Sequence, residues 1–73
     1  MGQPVKFIPT PTTCDLCREP LGYLMYDCRI GPMGSPWGCI CERCFIGNNC
    51  SIGPGLGQRY QKQDDGSYVK SGG

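Results

Sequence analysis

Cys14-Asp15-Leu16-Cys17 and Cys41-Glu42-Arg43-Cys44 are two Cys-x-x-Cys pairs, and twenty-three residues separate them. Two residues between cysteines let one tight turn present both sulfurs to a single ion. Two such pairs together supply the four soft corners that tetrahedral Zn²⁺ takes in structural sites. The spacing therefore predicts one structural Zn²⁺ held by Cys14, Cys17, Cys41 and Cys44, and a fold organised around it. Cys39-Ile40-Cys41 leaves one ambiguity. Alternate residues of a strand share a face, so Cys39 could approach the ion or replace Cys41. The matched spacing of the two pairs favours Cys41.

The rest of the chain is consistent with a metal staple. It has 73 residues, with 12 Gly and 7 Pro, which is enough for one small domain dominated by turns. A core of this size supplies only about 3–5 kcal/mol. Zinc binding is worth about 10–16 kcal/mol in small finger peptides near neutral pH, and that becomes folding free energy. The seven cysteines also invite a disulfide-rich or thiol-redox reading. Against it stand the odd count, a start without a signal-peptide core, and four cysteines already in metal spacing. Cys28 and Cys50 read as small buried apolar groups.

Several function classes are disfavoured. With no histidine, there is no imidazole base to activate a thiol, and no enzyme is expected. No apolar run reaches membrane-spanning length. A reducing cytoplasm, where thiols stay available for metal, is the expected compartment. Formal net charge is +1, and a divalent ion on four thiolates contributes −2, bringing the chain to −1. That is no footprint of a dedicated nucleic-acid binder.

Along the chain, prolines make residues 1–13 an extended arm. A zinc-ribbon-like domain is expected over 14–70, built from two cysteine knuckles and short antiparallel β-hairpins with little helix. Leu21 to Ile30 suits a strand, with Tyr23, Met25 and Asp27 on one face and Leu24, Tyr26 and Cys28 on the other. Gly31 to Pro36 is a loop, and Trp37 is expected to pack on the metal-bound turn. A short helical turn around Phe45 should end at Gly47-Asn48-Asn49. Gly53-Pro54-Gly55-Leu56-Gly57 reads as a close backbone crossing. Two strands should flank an Asp65-Gly66 hairpin turn, and 71–73 should fray as a flexible tail.

The segment from Gly34 to Phe45, with Pro36-Trp37 joined to Cys41/Cys44, carries a resemblance. Together with Gly55-Leu56-Gly57-Gln58-Arg59-Tyr60 and Asp65-Gly66, it resembles small phage-encoded zinc-ribbon-like proteins. The resemblance covers most of the chain from Cys14 onward and assigns the ligand role to Cys14, Cys17, Cys41 and Cys44 alone. Size and plan also look like the small phage regulators that bind host RNA polymerase and act on initiation or antitermination. On that reading a monomeric chain docks on a protein partner through Lys6, Phe7, Arg18, Arg29 and Arg43. The alternative is a nucleic-acid-binding ribbon in which Arg59 and Lys62 hold phosphate and Tyr60 stacks on bases.

Overall fold

The apolar, aromatic run after Pro20 becomes a central strand, β1 (Leu24–Arg29). In the computed structural model, which describes residues 10–32 and 34–72, β2 (Trp37–Cys41) pairs with one edge of β1. On the other edge lies β3 (Gly57–Lys62), followed outward by β4 (Tyr68–Gly72). The sheet order is β2-β1-β3-β4 and every pairing is antiparallel. One short helix, α1 (Glu42–Gly47), follows β2 directly. Two hairpins, two cysteine turns and little helix make this a zinc-ribbon-like domain.

β1 is paired on both edges and carries buried residues on both faces. Met25 lies opposite Cys41 and Tyr60 in register, while Tyr26 lies opposite Ile40. Met25, Ile40, Cys14 and Cys28 are fully buried, and Tyr26, Tyr60, Tyr68 and Leu21 nearly so. Phe45 of α1 stacks on Tyr26, ring centroids 3.9 Å apart and planes within 16°. Such a pair contributes about 0.5–1.5 kcal/mol beyond its buried area. The Tyr68 hydroxyl donates to the carbonyl of Gly22, tying β4 to the segment leaving the first knuckle.

Three details differ from the expectations. The β3–β4 connection is a three-residue loop, not a two-residue turn. Gln63 N–H donates to Ser67 at 2.8 Å, Gly66 N–H donates to Gln63 at 2.9 Å, and Gly66 takes a φ of 89°. Asp65 favours this longer loop by accepting from both the N–H and the hydroxyl of Ser67. Ser71 and Gly72 belong to β4 instead of a loose tail, because the Arg59 guanidinium donates to Ser71 Oγ at 3.1 Å and to its carbonyl at 3.0 Å. Trp37 is 46% exposed. It stands four residues before Cys41 on β2, roughly 13 Å along an extended strand from the second knuckle, and nearly half of its surface stays in solvent.

Residues 1–9 of the expected arm lie outside the described residues. Its last part is tied down: Leu21 N–H donates to the Thr12 carbonyl at 2.9 Å, and Thr13 pairs with Pro20. Among the described residues no helix is long and apolar enough to cross a membrane.

Candidate metal centre

The first knuckle is a closed loop. Cys14 N–H donates to Glu19 at 2.9 Å, and Arg18 N–H donates to Cys14 at 3.0 Å. Arg18 sits in the left-handed region, φ 65°, where the chain reverses after Cys17. The second knuckle uses a helix start. Cys41 occupies the N-cap with extended backbone, so Cys44 falls in the first turn on the same side. At the other end of α1, the backbone N–H and side-chain amide of Asn48 both donate to the Cys44 carbonyl.

Asp15 joins the two knuckles. Its carboxylate accepts from the Cys39 N–H at 2.8 Å, and its own N–H donates to the Cys39 carbonyl at 2.9 Å. The first knuckle is thereby laid along the outer edge of β2, opposite Cys41. This also resolves the ambiguity over Cys39: its backbone, not its sulfur, serves the site. Nothing in the spacing of cysteines reveals that role. An Asp inside the first knuckle was the available signal.

The four sulfurs of Cys14, Cys17, Cys41 and Cys44 lie within 4.8 Å of one another. A tetrahedral ion with metal–sulfur bonds of about 2.3 Å needs sulfurs about 3.8 Å apart. Cys17 and Cys41 stand at 3.8 Å. The cluster therefore fits a single four-coordinate ion, with protein sulfur at every corner and no position left for a substrate.

The backbone is arranged to receive negative charge. Cys14 Sγ accepts N–H groups from Leu16 and Cys41, each at 3.4 Å. Burial opposes its ionisation, but the N–H groups of Cys17, Cys41 and Leu16, with the Cys17 thiol, outweigh burial and bring its pKa from 9.0 down to about 6. Cys44 moves the opposite way, pushed up to about 12 by desolvation, by hydrogen bonds with the other three thiols and by the Cys14 charge. Cys44 cannot readily ionise beside Cys14 until a cation is present.

That split sets a pH dependence. At neutral pH the metal-free cluster carries Cys14 as thiolate and Cys44 as thiol, so binding must expel at least the Cys44 proton. Protons compete with the ion, so affinity falls as pH falls. The expected slope is about tenfold per pH unit for each proton displaced, steepening below pH 6 where Cys14 also holds one. Competition titrations against a chromophoric chelator on both sides of pH 6 measure this. An affinity independent of pH would contradict thiolate ligation.

The other expected site residues do not converge. Arg18 and Arg43 are exposed and border the cysteine cluster, whereas Arg29 pairs with Trp37 at the far end of β1. Lys6 and Phe7 lie outside the described residues. Tyr60 is a correction to the nucleic-acid reading. It is only 4% exposed and donates its hydroxyl to Gln58 at 3.0 Å, so the ring is core and not a surface for base stacking. Arg59 is engaged with Ser71, and Lys62 is exposed three residues further along β3, on the opposite face of the strand. No protein-family model, curated protein or solved structure matches this chain.

Proposed function

We propose that the chain is a zinc-stapled protein-interaction module that binds bacterial RNA polymerase and regulates transcription, with no catalytic activity of its own. One observation carries the structural half of this reading: four cysteine sulfurs fill every corner of the site, which is the pattern of a structural ion. Thiolate softness and tetrahedral spacing select zinc among the common divalent ions. The ion fixes the two knuckles and the sheet as rigid surfaces without a large core. Exposed Arg18 and Arg43 beside the site, and exposed Trp37 on β2, provide charge and an aromatic anchor for a protein partner. The near-neutral charge and the buried Tyr60 weigh against nucleic acid. The polymerase itself comes from the resemblance to phage regulators described above.

Co-purification of the metal-loaded chain with bacterial RNA polymerase, under reducing conditions and at low salt, tests the reading. Retention is expected, and it should weaken when Arg18→Glu and Arg43→Glu are combined, since both point outward and neither is a ligand. No retention at low salt would overturn the polymerase assignment while leaving the metal site intact.

A further inference from the structure

Two cysteines outside the metal cluster come together toward the end of β1. Cys28 is fully buried on β1, and Cys50 lies half-buried in the loop after α1. The Cys50 sulfur rests 3.9 Å from the carbonyl oxygen of Arg29, the residue next to Cys28. The two thiols are close enough to interact by hydrogen bonding and charge. The loop itself is pressed onto the strand: a Cβ at Gly57 would meet Cys28 Cβ at 2.5 Å and the Ser51 carbonyl at 2.8 Å. Arg29 N–H also donates to the Leu56 carbonyl at 3.0 Å.

A cleft of about 200 Å³ opens beside this place, lined by Arg29, Asn48, Asn49, Cys50 and Ser51. Cys50 thus borders a polar cleft, and Cys28 stands behind it, out of solvent. An accessible thiol in front of a buried one is the arrangement for attack followed by closure. Cys39 cannot substitute for either. It pairs with Asp27, whose side chain points to the sheet face opposite that of Cys28.

We propose that Cys28 and Cys50 form a reversible disulfide by exchange with a low-molecular-weight disulfide, independently of the metal site. Cys50 gives up its proton and attacks one sulfur of the reagent. A new S–S bond forms, the reagent's own S–S bond breaks, and one reagent thiolate leaves and takes up a proton. Cys28 then releases its proton and attacks the Cys50 sulfur, expelling the second reagent thiol. Two protein thiols are oxidised by two electrons and one disulfide reagent is reduced to two thiols. The bond would clamp the loop through Leu56 onto β1 and give the sheet a second staple.

Oxidised glutathione, added to the metal-loaded full chain, is the probe. The expected product has lost two hydrogens in mass, retains its metal, and yields a peptide linking Cys28 to Cys50. Cys50→Ser should abolish the link. Cys28→Ser should stop at a glutathione adduct on Cys50. A wild-type chain that keeps both thiols free would overturn the proposal. So would an adduct that never closes, or a link that maps to Cys39 or to the metal cysteines. Should Cys28→Ser fail to fold, the wild-type map and the half-buried Cys50→Ser variant still decide the matter.

Discussion

Cys14→Ala is expected to yield a chain that neither holds its metal tightly nor folds at room temperature. Cys14 is the one ligand buried completely, and its sulfur accepts the N–H groups of Leu16 and Cys41. Truncation removes a corner of the site and orphans two donors at once. Losing even a third of the roughly 10–16 kcal/mol typical of small zinc sites removes as much as a core of this size supplies. Cys39→Ala is the control. Its sulfur is no ligand and its contribution to the site is backbone, so it should cost no more than about 1–2 kcal/mol. Denaturant midpoints of the two variants, with metal present, measure the contrast. Equal losses would mean that the ligand set is wrongly drawn.

The second large effect is expected at a glycine. Gly57 opens β3 directly opposite Cys28, where an added methyl would sit 2.5 Å from Cys28 Cβ and 2.8 Å from a backbone carbonyl. Neither neighbour is the tip of a flexible side chain, so the strand pair must part. Overpacking of this kind costs about 1–3 kcal/mol or more, and Gly57→Val more than Gly57→Ala. In so small a domain that is a large fraction of the total. Gly22→Ala, where a Cβ would meet nothing within 4 Å, should be near neutral. Thermal unfolding of the metal-loaded variants separates the two, and a tolerated Gly57→Val would refute the close crossing of loop and strand.

Much of this was legible in the sequence because the governing constraints are local. Ligand geometry fixes Cys-x-x-Cys spacing, and the four cysteines chosen by it do come together. The glycine-rich run after Cys50 announced a close backbone approach, and Gly57 makes one. What escaped depends on register. Trp37 was expected to pack on the metal-bound turn, but it opens β2 four residues before Cys41 and stays 46% exposed. Phe45 instead covers β1 by stacking on Tyr26. Tyr60 and Lys62 alternate with Arg59 along β3, and alternation alone could not say which face closes over the core. The meeting of Cys28 with Cys50 depends on a loop folding back over β1, which no local spacing encodes.

The account rests on one ion organising the fold. Metal per chain by elemental analysis, paired with an amide correlation spectrum before and after a strong chelator, tests it most directly. One ion per chain is expected, with dispersed amide signals that collapse when the chelator removes it and return when zinc is restored. A metal-free chain whose spectrum stays dispersed and unchanged would contradict the account.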